Sequence, residues 1–148
     1  MSEPSENPQE LLRKVWLFSG CSDAELGYIA SLVTPRSIEA GTAVVREGEP
    51  GDDFFVIVSG SATPTVDGDQ VGELTSGSFF GEMALLDGGE RLATVTATTP
   101  MALLVLNRED FNIMLEAAMP AIAPKLLAVV GRRMRDLARH EGRPLLGY

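Results

Sequence analysis

Two ionisable residues in this 148-residue chain stand in unexpected company. Glu82 and Arg91 both fall within FGEMALLDGGERLATV, residues 80–95, among Leu, Met, Ala and Val. An unpaired charge held among apolar side chains is costly, so each needs a partner, and one answer is that the partner is not part of the chain. Gly81 can bring its backbone close to a ligand. The next five residues, Glu82 to Leu86, can form one helical turn whose unpaired N–H groups attract an anion. Arg91 follows the Gly88-Gly89 loop, and its guanidinium can return to the same spot and grip two anionic oxygens as a fork. Ionised Glu82 can only accept hydrogen bonds, as it would from sugar hydroxyls. A cation for an anion and a carboxylate for hydroxyls together describe a sugar phosphate.

The rest of the chain must position these groups. NPQELLRKVWLF opens with Asn7 as N-cap, Pro8 at the first helical position and Glu10 three residues after the cap, then Leu11, Leu12, Val15 and Trp16 at helical spacing. SDAELGYIASLV repeats the pattern, with Ser22 and Glu25 as a capping box and Leu26, Ile29, Ala30 and Val33 as the buried stripe. From residue 36 to 106 short β-branched and aromatic runs alternate with turn residues, as in a β sandwich or barrel. Strands are expected at 42–46, 54–58, 61–66, 70–74, 92–98 and 101–106. Pro50-Gly51 fits a type II turn, Ser59-Gly60 a tight hairpin and Asp67-Gly68 a second hairpin. Pro64 inside a strand predicts an edge position or a kink. Helical spacing then returns, with Asn107 as N-cap before Phe111, Met114 and Leu115, and a second helix carrying Leu126, Val130, Met134 and Leu137. Pro124 is expected in the first turn of that second helix or at a kink in its start.

These elements make one domain that is mainly β with flanking α: a β-roll or jelly-roll-like barrel with N-terminal helices and two C-terminal helices. Residues 1–7 are expected to form a flexible segment, 8–140 the domain (helices 8–34, β-roll 36–106, C-terminal helices 107–140) and 141–148 a tail. One cysteine, Cys21, and one histidine, His140, exclude a disulfide framework and a multi-His or multi-Cys metal site. Residues 1–10 are polar and acidic, and no apolar run is read as approaching the roughly 20 residues of a membrane span, so the expected location is the cytoplasm. The net charge of −9 argues against general nucleic-acid binding. It is uneven: residues 1–119 carry 6 Lys/Arg against 19 Asp/Glu, and residues 120–148 carry 6 against 2.

Residues 80–95 resemble the phosphate-binding cassette of the cyclic nucleotide-binding domain family, with Phe80, Gly81, Glu82, Met83, Ala84, Leu85, Arg91, Ala93, Thr94 and Val95 in register. REGEPGDDFFVIVSGSATPTV is similar to the family's entry hairpins. The resemblance implies binding of a 3′,5′-cyclic purine nucleotide, with Arg91 on the cyclic phosphate and Glu82 on the ribose 2′-hydroxyl. It implies backbone contacts from Gly81, Ala84 and Ala93, with Met83 and Leu92 in the same shell and Val71 and Leu74 lining the base. The final helix would close over the purine, with Met134, Leu137 and Ala138 as lid candidates. Glu90 replaces the Pro of many eukaryotic members. Leu92 replaces a small or hydroxylated residue, removing a hydroxyl that can assist a guanine amino group, which favours cyclic AMP over cyclic GMP.

The expected function is therefore a stand-alone regulatory module that is not an enzyme, has no cofactor and acts through its last helix on a partner protein or a second subunit. No membrane partner is expected. Nor is DNA reading, since the nine residues HEGRPLLGY leave no room for a helix-turn-helix module. The alternative is a ligand-free scaffold of the same fold, in which Glu82 and Arg91 form an internal ion pair. A metal-dependent barrel enzyme is disfavoured because the lone His lies outside the strands. Arg132, Arg133, Arg135, Arg139 and Arg143 read as a solvated helix face, Trp16 as a packing residue, His140 as a solvated residue near a helix end and Cys21 as an ordinary thiol.

Overall fold

The computed structural model describes residues 7–141. Helices α1 (Pro8–Arg13) and α2 (Asp23–Ala30) flank a 3-10 turn at Trp16–Phe18. Both caps form as the spacing predicts: the Asn7 side chain accepts from the Glu10 amide, and Ser22 and Glu25 make a reciprocal capping box. Strands β1 (Thr34–Ile38), β2 (Ala43–Val45), β3 (Asp53–Ser59), β4 (Ala62–Val66), β5 (Asp69–Gln70) and β6 (Phe79–Phe80) follow. Helix α3 (Glu82–Asp87), strands β7 (Thr94–Ala97) and β8 (Met101–Asn107) and the long helix α4 (Arg108–Glu141) complete the chain.

The strands form two four-stranded antiparallel sheets, ordered β1-β8-β3-β6 and β2-β7-β4-β5. DFFVIVS and MALLVLN read as nearly continuous apolar runs because β3 and β8 are covered on both faces. Phe54, Val56, Leu104 and Leu106 face the helices, where they pack with Leu12, Phe18, Ile29, Phe111 and Met114. Phe55, Ile57, Leu103 and Val105 point the other way, into a second core between the sheets with Phe80, Val95 and Leu74. The two-residue strand period thus separates two cores on either side of one sheet.

Several local expectations change. The turn before β3 is at 46–49, where Gly48 has φ +85° and the Glu49 amide donates to Arg46 O; Pro50-Gly51 lies beyond it. Gly60 (φ +93°) does turn the chain, but β3 and β4 belong to different sheets, so Ser59-Gly60 is a sheet crossing and not a hairpin. Asp67-Gly68 does close a hairpin, between β4 and β5, with φ values of 52° and 85°. Pro64 lies on an inner strand, between β7 and β5. Its carbonyl accepts from the Val71 amide, yet it has no N–H to return, and regular β5 pairing ends at Gln70. The strand expected at 70–74 survives only as β5 and a bridge from Leu74 to Ala62. Strands β1 and β6 were not anticipated.

The two C-terminal helices join into one run, broken by non-helical φ/ψ at Ala118, just before Pro120; Pro124 lies inside the second segment. Contrary to the sequence expectation, Arg108–Arg139 is long and apolar enough to cross a membrane by length and composition. Phe111, Met114, Ala118, Ile122 and Leu126 are buried in the helix-side core, but only 28% of the apolar window is buried, and Met119 and Leu127 are exposed. Of the segments expected to be flexible at 1–7 and tail-like at 141–148, residues 1–6 and 142–148, with Arg143, lie outside the described residues, as does the side chain of His140.

Candidate functional site

A cavity of about 530 Å³ opens between the second sheet, the 80–95 stretch and α4. Gly81, Glu82, Met83, Ala84, Arg91, Leu92, Ala93, Val71 and Leu74 all line it. Of the lid candidates Leu137 lines it, while Met134 and Ala138 are not among its lining residues. The helix contributes Val129, Arg132, Arg133 and Asp136 instead, and Trp16 lines the cavity from the 3-10 turn. Trp16 is half exposed, with the Lys125 ammonium 5.9 Å from its ring, so it is more than a packing residue.

Arg91 is buried and its seat is built from backbone. Its amide donates to Glu49 O and its carbonyl accepts from the Gly48 amide, which ties it to the turn at 46–49. One terminal nitrogen donates to Gly81 O at 3.0 Å and the other to Asp53 O at 2.9 Å. A guanidinium has five N–H donors, so the remaining donors are available to an anion. Burial pushes its pKa below the usual arginine range, and the charges of Asp53 and Glu82 partly offset this. An arginine remains protonated under these conditions.

Two glycines make room for that seat. A Cβ on Gly51 would lie 2.4 Å from Arg91 Nε and 2.9 Å from Ala84 Cβ. A Cβ on Gly81 would lie 2.7 Å from Asp53 O and 2.8 Å from the Arg91 terminal nitrogen, and Gly81 also caps α3 with φ +95°. Side chains fit neither position without displacing the guanidinium.

Glu82 is buried, but it does not pair with Arg91. Both of its oxygens accept from one terminal nitrogen of Arg133 at 2.7 Å, and the other nitrogen of Arg133 donates to Phe79 O. The Arg133 guanidinium also sits 5.1 Å from the Phe79 ring centroid. Arg133 therefore leaves the solvated set; Arg132, Arg135 and Arg139 are exposed. Around the cavity Arg91, Arg132 and Arg133 are matched in formal charge by Glu73, Glu82 and Asp136, so the positive charge open to an anion is local to Arg91, which has no ion pair among the described residues. Arg108, the first residue of α4, adds another tie: it donates to Gly51 O at 2.7 Å and Leu85 O at 3.3 Å and pairs with Asp52. Both ends of α4 thus bond to the stretch that carries the site. Among the described residues no cluster of three or more His, Cys, Asp or Glu could hold a metal.

The family model described as the cyclic nucleotide-binding domain matches residues 35–118. This chain belongs to that family. A cyclic nucleotide-gated potassium channel of Rhizobium etli is 40% identical over 135 residues, covering 91% of this chain and 36% of the channel. A cAMP-dependent protein kinase regulatory subunit of Yarrowia lipolytica is 39% identical over 106 residues, 70% of this chain and 28% of that protein. Among solved structures, cAMP-bound PfPKA-R superposes with a TM-score of 0.83 at 26% identity, covering 92% of this chain and 46% of the other. Catabolite activator protein of Thermus thermophilus gives 0.72 at 30% identity, covering 85% and 61%. The chain spans about a third of the length of the curated relatives it matches. The fold, a cyclic nucleotide-binding β-roll, is the expected one. The expectation of no membrane partner is overturned, because similar proteins in Rhizobium etli, Mesorhizobium japonicum and Rhodopseudomonas palustris are potassium channels, which are membrane proteins.

Proposed function

We propose that this cyclic nucleotide-binding domain is a sensor for cyclic AMP. The observation that carries the reading is the guanidinium of Arg91, held by two carbonyls at one side of a cavity with donors to spare and no ion pair to Glu82. In this reading Arg91 takes the cyclic phosphate, Glu82 the ribose 2′-hydroxyl, and Gly81, Met83, Ala84, Leu92 and Ala93 close around the sugar phosphate. Val71 and Leu74 lie against the base. Leu137, Met134 and Ala138 belong to the helix that responds.

Glu82 holds Arg133 of α4. A ribose hydroxyl arriving at Glu82 must share or displace that bond, so nucleotide occupancy is transmitted directly to α4. Work is done by whatever α4 then contacts, a partner protein or the remainder of a longer, channel-like chain. The domain itself performs no catalytic step in this account. Leu92 offers no hydroxyl, which supports cyclic AMP over cyclic GMP. Purified protein should gain about 2.7 kcal/mol of stability at ligand concentrations 100 times the dissociation constant. A thermal-shift titration with both nucleotides tests this, and no shift with either would favour a ligand-free scaffold whose carboxylate is permanently satisfied by Arg133.

A further inference from the structure

Beyond the groups that would touch a nucleotide, Arg91 has an aromatic neighbour on the side of the second core. Its guanidinium carbon lies 5.8 Å from the centroid of the Phe55 ring. Phe55 is buried between the sheets, is not part of the cavity wall, and stacks on Phe80 with centroids 4.7 Å apart and planes 13° from parallel. The orientation of the Phe55 ring is therefore fixed by a second ring. The face of an aromatic ring carries partial negative charge and attracts a guanidinium within about 6 Å, more strongly where water is excluded. We propose that Phe55 is a positioning residue that seats the anion-binding guanidinium of Arg91. The proposal rests on the reading of Arg91 as the phosphate ligand.

The seat has three independent supports. The carbonyls of Asp53 and Gly81 fix the two terminal nitrogens. Gly51 leaves the space that Nε and the guanidinium carbon occupy, where a Cβ would come within 2.4 and 2.5 Å. Phe55 supplies the only aromatic surface paired with Arg91 among the described residues. Arg36, exposed on β1, approaches the same ring at 5.9 Å from the solvent side of the molecule and contributes less, since its charge remains hydrated. A leucine at 55 would keep most of the apolar volume and lose the charge-attracting face. Arg91 would then keep its carbonyls but rest less firmly, and part of its alignment would have to be supplied when the ligand arrives.

Calorimetric titration with cyclic AMP tests this on four proteins: wild type, Phe55→Leu, Arg91→Lys and the double variant. Phe55→Leu should weaken binding roughly three- to tenfold, and should have a clearly smaller effect in the Arg91→Lys background, where an ammonium still meets the ring face but no planar fork remains to be aligned. Equal losses in both backgrounds, or no loss in either, would overturn the proposal. Should leucine unfold the domain, Phe55→Met serves in its place. A second readout needs neither ligand nor folded variant: in wild type the Arg91 guanidinium N–H protons should resonate upfield of ordinary arginine positions, because the guanidinium carbon lies over the ring. If cyclic AMP does not bind wild type at all, the nucleotide reading fails, and these shifts still decide the role of Phe55. Ordinary positions would refute it.

Discussion

Replacing Arg133 with alanine leaves Glu82 without its counter-ion. The Glu82 side chain is 2% exposed and that of Arg133 25%, and both carboxylate oxygens accept from a single nitrogen at 2.7 Å. Removing one member of a fully buried pair costs about 3–5 kcal/mol, because the other charge is stranded. Here the departing side chain is a quarter exposed and its loss admits water, so the expected cost is about 2 kcal/mol. For a domain of this size each kcal/mol shifts the melting temperature by about 2–4 °C, which predicts a fall of about 4–8 °C. Urea denaturation gives the free energy directly, and Glu82→Gln in the same background makes the test specific. Glutamine is neutral and needs no counter-charge, so the double variant should regain about 1 kcal/mol or more over Arg133→Ala. A single variant within about 0.5 kcal/mol of wild type, or a double variant less stable than Arg133→Ala, would refute the claim that this ion pair joins α4 to the site.

Other consequences follow from single contacts. Trp16, the sole tryptophan, lines the cavity beside Lys125; its fluorescence should change in intensity or wavelength as cyclic AMP is titrated, and a flat titration in a protein that binds would show that the helix does not move against the 3-10 turn. Gly60→Ala should destabilise by more than about 1 kcal/mol, since Gly60 has φ +93° and an added Cβ would lie 2.3 Å from Pro100 O; chemical denaturation within 0.5 kcal/mol of wild type would contradict this. Burial, with a smaller push from Glu25, raises the Cys21 thiol above its ordinary pKa. At pH 8 a raised pKa means less thiolate, so alkylation by iodoacetamide should run slower in the folded protein than in urea; equal rates would contradict it.

The cassette was legible because its chemistry is contiguous: a glycine, a carboxylate and an arginine within eleven residues, each in unexpected apolar company. The strands most readily read were β3 and β8, whose apolar residues are recruited to two cores at once. Strands β1 and β6 escaped for opposite reasons. TPRSI is an edge strand with mostly exposed residues and carries a proline and an arginine, whereas β6 is only two residues long and is defined by its pairing to Phe55 and Val56. The turn at Gly48 was displaced because Pro50-Gly51 is the stronger local turn signal, yet Gly51 is spent on making room for Arg91. Arg133 was the important miss. It lies 51 residues from Glu82 and among other arginines that are exposed. One signal was available: Val129, Arg133 and Leu137 are spaced by four, so this arginine falls within an apolar row, whereas its neighbours Arg132 and Arg135 do not.

Titration calorimetry with cyclic AMP on wild type and Arg91→Ala tests the sensor most directly. Charge-assisted hydrogen bonds are worth about 1.5–3 kcal/mol each, so the account predicts one nucleotide per chain and an affinity at least about tenfold weaker in the variant. Indistinguishable affinities in the two proteins, or no heat from wild type with either cyclic nucleotide, would contradict it.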